Sequence, residues 1–104
     1  FLLDANDTAT IVTGRKAKEP VRSLRNPMLE QYAAFEEANA PREELEKLTV
    51  GSLARAVHEG DIETGSCMAG EIAGMIGNIR PAKQIIEELF AEAEAVLAKL
   101  RIKY

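Results

Sequence analysis

Between Gly65 and Gly77 the chain reads Gly-Ser-Cys-Met-Ala-Gly-Glu-Ile-Ala-Gly-Met-Ile-Gly, and this stretch holds the residues best placed for chemistry. Gly65 and Ser66 precede an expected helix, whose first amide hydrogens have no intrahelical partner. Such an end can receive a phosphate or a polarised carbonyl, although Ser66 suits a plain N-cap equally well. Cys67, Gly70, Gly74 and Gly77 follow helical spacing, so three glycines would share one stripe without side chains. Each glycine inside a helix costs about 1 kcal/mol relative to alanine. Close packing on another backbone, or contact with a flat ligand, would offset that loss.

The rest of the catalytic inventory is thin. The sequence shows no paired carboxylates in an apolar pattern, no Cys/His spacing for zinc, no nucleophile elbow and no dinucleotide fingerprint. No catalytic residue and no metal ligand is therefore assigned. His58, the single histidine, falls near the end of an expected helix, where capping or a surface role is the default reading. The single cysteine, Cys67, excludes an intramolecular disulfide and points to a reducing, cytoplasmic setting. It has no basic or histidine neighbour, which favours a small core residue over a nucleophile.

Of the 104 residues, 46% are hydrophobic and 29% charged, which reads as one modest globular domain. The net charge of −4 argues against a nucleic-acid partner. The basic run Arg15-Lys16-Ala17-Lys18 meets Glu19 at once and has no interleaved aromatic. The longest apolar helical stretch, Cys67 to Ile79, is too short to span a bilayer and carries Glu71. Phe1-Leu2-Leu3 is followed by Asp4 without a basic leader, unlike a signal peptide. The chain starts without methionine, so a processed or truncated piece of a longer protein is expected.

The elements that must position the glycine segment are legible in outline. Thr8 to Thr13 is rich in β-branched residues and ends at Gly14, which predicts a strand. Pro20 to Leu24 predicts a second extended segment, and the two make a ribbon that needs something to lean on. Residues 1–25 form this extended part, and 26–104 a helical region of about five helices, together one partial domain. Asn26-Pro27 signals a helix start, with Met28, Leu29, Tyr32 and Phe35 on its core face. Asn39-Ala40-Pro41 closes that helix, and Leu45 and Leu48 are the buried candidates of the acidic turn that follows. Ser52 to Glu59 comes next, with Leu53, Ala56 and Val57 as its apolar face and Gly60 as a left-handed cap. After the glycine segment, Arg80-Pro81 breaks the chain. The last helix runs from about Ala82 towards Leu100 with Ile85, Ile86, Leu89, Phe90, Ala93, Val96, Leu97 and Leu100 in one wide stripe. Glu87, Glu88, Glu92 and Glu94 occupy most of its other side as a solvated face.

Several segments join into one ordered pattern. Thr13-Gly14-Arg15 is followed by Pro20-Val21-Arg22-Ser23-Leu24-Arg25-Asn26, then by Gly51-Ser52-Leu53-Ala54-Arg55-Ala56-Val57-His58-Glu59-Gly60-Asp61, then by Gly65 to Gly74. In order and spacing this resembles the carboxyl-terminal portion of the FMN-dependent enoyl-acyl carrier protein reductase II proteins. These are grouped with the nitronate monooxygenases, formerly 2-nitropropane dioxygenases. The similarity runs from about Asp7 to the last helix, and the Gly-Ser-x-Met-Ala-Gly segment is its most specific part.

The resemblance implies a fold: a mainly α covering unit with a short β ribbon, lying over the mouth of an FMN-binding (β/α)₈ barrel. A barrel of that kind takes roughly 250 residues, so the barrel portion is a missing partner of these 104. It implies an activity: NAD(P)H- and FMN-dependent reduction of enoyl thioesters on acyl carrier protein in fatty acid synthesis, with hydride reaching the enoyl β-carbon. It also implies that Ser66, Met68, Ala69, Gly70, Glu71 and Gly74 lie near FMN or the barrel mouth, while these residues alone hold neither FMN nor NAD(P)H tightly and are inactive alone. Family members most often have glutamine at the Glu71 position and often histidine at the Glu19 position. Nitronate oxidation or another flavin reductase activity is the nearest alternative. A free-standing helical interaction module, joining a partner or a second copy through its apolar faces, is the alternative of another class.

Overall fold

A computed structural model describes residues 1–101 of the chain. Two strands, β1 (Thr10–Thr13) and β2 (Val21–Leu24), pair antiparallel with Thr10 opposite Leu24 and Thr13 opposite Val21. Gly14 turns the chain out of β1 with φ of 81°, and its amide oxygen accepts from the Glu19 amide at 3.0 Å. That conformation, with the Glu19 carbonyl packed against the glycine Cα, leaves no room for a side chain. The ribbon expected from the β-branched run is therefore present.

Helix α1 (Pro27–Glu37) starts as the Asn26-Pro27 pair predicts: the Asn26 carboxamide oxygen accepts from the Leu29 amide at 2.9 Å. Met28 and Leu29 are buried beneath the ribbon, and Tyr32 and Phe35 are half-buried. Asn39 adopts a left-handed conformation and Pro41 leads into α2 (Arg42–Thr49), whose Leu45 and Leu48 are only half-buried. A short helical turn α3 (Ser52–Ala54) runs on into a π-helical turn (Arg55–Glu59), closed by Gly60 in the left-handed conformation. The expected apolar face of this segment is not packed: Leu53 and Val57 are exposed and Ala56 half-buried.

The glycine segment is the main correction. Gly65 to Ile79 forms no continuous helix; residues 67–69 run extended, and only Glu71–Met75 makes a 3₁₀ turn. The reason lies in the ribbon. The free edge of β2 takes up this backbone, with the Leu24 amide donating to Cys67 O at 2.9 Å and the Ala69 amide to Arg22 O at 3.2 Å. An open strand edge is a row of unsatisfied donors and acceptors, and glycine-rich chain loses little by leaving the helix. The support the ribbon needs is thus the segment expected to be helical.

The last helix, α4 (Ala82–Arg101), follows Pro81 as expected. Its stripe of Ile85, Ile86, Leu89, Phe90, Val96, Leu97 and Leu100 is exposed along its length. Residues 102–104, the end of the expected helical region, lie outside the described residues. The buried apolar core is small: Leu24, Met28, Leu29 and Ala73. No described helix is long and apolar enough to cross a membrane.

Candidate functional site

The geometry of residues 61–74 is fixed from Asn26. Besides capping α1, its carboxamide nitrogen donates to Ile62 O at 3.0 Å and to Gly65 O at 2.6 Å. The Met28 amide, an orphan donor of the first helical turn, donates to Glu63 O at 3.1 Å. Asp61 closes the same loop on itself, accepting from the Glu63 and Thr64 amides at 2.9 Å each and from the Thr64 hydroxyl. These hydrogen bonds hold the Asp61 carboxyl below its ordinary range, the Thr64 side chain first among them. Arg55 grips the loop from the π-helical turn, donating to Thr64 Oγ1 and Thr64 O at 3.0 Å each. Gly65 fits against Ala56, where a Cβ would come within 2.9 Å of the Ala56 Cα.

The chain then passes along β2. The Ser66 amide donates to Ser52 O at 3.0 Å. Ser66 therefore caps no helix, and the reading of it as the mouth of a helical anion site falls with the helix. Met68 bridges Ser23 and is 58% exposed, Ala69 is half-buried, and Gly70 is extended with open space around its Cα. Glu71 forms an ion pair with Arg22 at 2.9 Å, and Arg22 also donates to Thr10 Oγ1 at 3.0 Å. Gly74 lies directly on the Asn6–Asp7 peptide, so that a Cβ would fall 2.6 Å from the Asn6 carbonyl carbon. Gly70 and Gly77 touch nothing comparable. The proposed three-glycine stripe does not exist, but one of its members does pack on backbone.

Beside this segment, a cleft of about 350 Å³ separates the ribbon from the α1–α3 layer. Ser66 and Met68 line it together with Thr13, Ser23, Tyr32 and Ser52. Partial burial, then the charges of Glu36 and Glu19, hold the Tyr32 phenol above its ordinary range, against a smaller opposing pull from Arg42. Among the described residues no cluster of histidine, cysteine and carboxylate side chains is placed to hold a metal. His58 is exposed and Cys67 half-buried.

Against known proteins, the solved structure of FabK from Thermotoga maritima superposes with a TM-score of 0.87 and 42% sequence identity over 99% of this chain. The chain is FabK-like over nearly its whole length. The M276A mutant of the same protein matches at 39% identity over 99% of this chain, with a TM-score of 0.73. No family model matches, and no curated protein matches. The chain spans 32% and 30% of the lengths of these two FabK chains, about a third.

Within this FabK-like chain the six predicted site residues form one non-helical run that pairs with β2 at residues 67–69 and continues to Gly74. Ser66 and the largely exposed Met68 border the cleft, Gly70 is open, and Glu71 and Gly74 anchor the run to Arg22 and to Asn6–Asp7. Sequence reading missed Arg22 as the partner of Glu71, and it missed the two backbone carbonyls held by Asn26. Only the Asn26 cap had a local signal.

Proposed function

We propose that this chain is the carboxyl-terminal part of an NAD(P)H- and FMN-dependent enoyl-[acyl carrier protein] reductase of fatty acid synthesis. The FabK match over 99% of the chain is the observation that supports the reading. The remaining two-thirds of such a protein would be the (β/α)₈ barrel, with residues 1–25 and 26–104 acting as one partial domain over its mouth.

Residues 66–74 would be the part nearest FMN. Their chemistry fits the ring of a flavin better than its phosphate. Met68 and Gly70 offer an uncharged, accessible surface, while the guanidinium at the segment, Arg22, is already engaged by Glu71 and Thr10. FMN supplies hydride-transfer chemistry when bound, and the protein supplies position and polarity. Ser66, Met68, Ala69 and Gly70 would border the ring. Glu71 and Gly74 would hold that run in place through Arg22 and the Asn6–Asp7 peptide.

The test is made on the purified native gene product. A flavin-absorbing protein well above 11.4 kDa that oxidises NAD(P)H with an enoyl thioester supports the reading. A colourless species near 11.4 kDa without turnover refutes it. Oxygen-dependent oxidation of alkyl nitronates without enoyl turnover would replace the reductase with a nitronate monooxygenase. The 104 residues alone are expected to titrate FMN weakly and without fixed stoichiometry.

A further inference from the structure

We propose that Arg22 is a positioning residue for the flavin-facing run: it holds the residues on both sides of Gly70 and so fixes that glycine for the ring. This role rests on the flavin reading of residues 66–74. Gly70 is the loosest link of the run. Its backbone is extended, with φ −76° and ψ 175°, and nothing lies within 4 Å of where a Cβ would be. Glycine loses more conformational freedom on ordering than any other residue, and here neither a side chain nor packing restrains it. Its carbonyl accepts from the Ala73 amide at 3.1 Å, which closes only the turn that follows.

Arg22 supplies the missing restraint twice. Its main-chain carbonyl accepts from the Ala69 amide at 3.2 Å, one residue before Gly70. Its guanidinium meets Glu71, one residue after Gly70, at 2.9 Å. The guanidinium is itself aimed by β1. Arg22 pairs with Val12, two residues from Thr10, so alternation puts Thr10 and Arg22 on one face of the ribbon. The Thr10 hydroxyl accepts from Nη1 at 3.0 Å while Nη2 meets Glu71. With the Glu71 side chain 79% exposed, the ion pair adds little to folding stability. Its effect falls on the placement of Gly70, because a planar guanidinium held at two points fixes direction as well as distance.

The experiment uses the full-length native gene product, with and without FMN. Arg22→Gln removes the ion pair. In the flavin-free protein, hydrogen–deuterium exchange of the peptide covering residues 69–73 should become faster. FMN should bind about tenfold more weakly, since fixing one freed backbone residue on binding costs a factor of about that size. The charge swap, Arg22→Glu with Glu71→Arg, rebuilds the pair, and the Thr10 hydroxyl can donate to the relocated carboxylate. Both readouts should then return towards those of the unaltered protein. Arg25→Gln breaks the Arg25–Glu30 pair beyond the end of β2, which touches none of the run, and should change neither readout. Thermal midpoints should agree across the set. Should Arg22→Gln fail to fold, Glu71→Ala cuts the same bond from its other side and carries the same expectations. Unchanged FMN affinity in Arg22→Gln, a weakening that the swap does not reverse, or a weakening that tracks a lowered thermal midpoint would each overturn the role of Arg22 and leave the flavin reading standing. An unaltered gene product that binds no FMN would overturn both.

Discussion

Replacing Gly74 by alanine tests which physical account of the glycine segment is right. An added Cβ would sit 2.6 Å from the Asn6 carbonyl carbon, 2.7 Å from its oxygen and 3.0 Å from the Asp7 nitrogen. Ordinary contact needs about 3.5 Å, so a peptide packed on a peptide would have to move by nearly 1 Å. Overpacking of that kind costs about 1–3 kcal/mol. Removing a glycine from the unfolded chain gives back about 0.4–1 kcal/mol, which leaves a net loss near 1–2 kcal/mol. Gly70 has φ −76° and ψ 175° with nothing within 4 Å of the same virtual atom, and Gly77 is equally open. Gly70→Ala and Gly77→Ala should therefore be neutral or stabilising by about 0.4–1 kcal/mol.

The assay is urea unfolding of the three single variants, followed by far-ultraviolet circular dichroism. With a slope near 1 kcal/mol per molar urea for a chain of this size, the Gly74→Ala midpoint should fall about 2 M below the other two. A helix with all three glycines on one packed stripe predicts that the three variants shift together. Equal midpoints, or a Gly74→Ala chain as stable as the unaltered one, would refute the close approach to Asn6–Asp7.

Other expectations follow from single contacts. Asn26→Ala removes a cap and leaves Ile62 O and Gly65 O without their donor, so it should destabilise by about 2–4 kcal/mol in the same unfolding assay. Asn26→Asp keeps the cap but loses the donors, and its unfolding midpoint should fall between the two. Glu71→Gln, which restores the commoner family residue, breaks an ion pair whose carboxylate is mostly exposed, and unfolding should register less than about 1 kcal/mol. Because the folded state raises the Tyr32 pKa, its contribution to stability is complete below the ordinary value near 10 and is lost as pH rises beyond it. Urea midpoints from pH 8 to 11 should fall less at the alkaline end in Tyr32→Phe than in the unaltered chain.

What could be read in advance depended on how far each residue must reach. The start of α1 needs only Asn26 and Pro27 beside it, and the left-handed Gly60 needs only its own position after a helical run. Both appear where local chemistry puts them. The glycine segment failed because its backbone answers to a strand more than forty residues earlier, through Leu24 and Arg22. Periodicity has no term for an unsatisfied strand edge, and glycines at helical spacing look the same whether or not a helix forms. Gly65 is small because of Ala56, and Gly74 because of Asn6, neither of which shares its element. The six candidate residues rest on the ordered family pattern, which does not depend on whether residues 65–77 are helical. Their grouping does depend on it: Glu71 and Gly74 act as anchors, while Met68 and Gly70 remain the accessible surface.

The surface of the molecule bears on the proposed role more directly than any single residue. A compact monomer of 11.4 kDa exposes about 5,800 Å² and one of 104 residues has a radius of gyration near 13 Å, whereas this chain exposes 7957 Å² with a radius of 17.9 Å. Much of the excess is apolar and ordered in space. Seven large side chains run along α4, and Met68, Ile72, Met75 and Ile79 line the outside of the glycine segment, Ile79 at 87% exposure. Most helical stability in proteins comes from packing an amphipathic face, and an apolar stripe of this extent is the mark of a surface that meets another. An autonomous module would close such faces with its own chain. A covering unit over a barrel leaves them open towards the barrel, and the FabK chains that this one matches are about three times as long. The unfilled surface and the partial match therefore favour the proposed reading, in which α4 and the segment from Met68 to Ile79 would be the two faces turned towards a barrel portion.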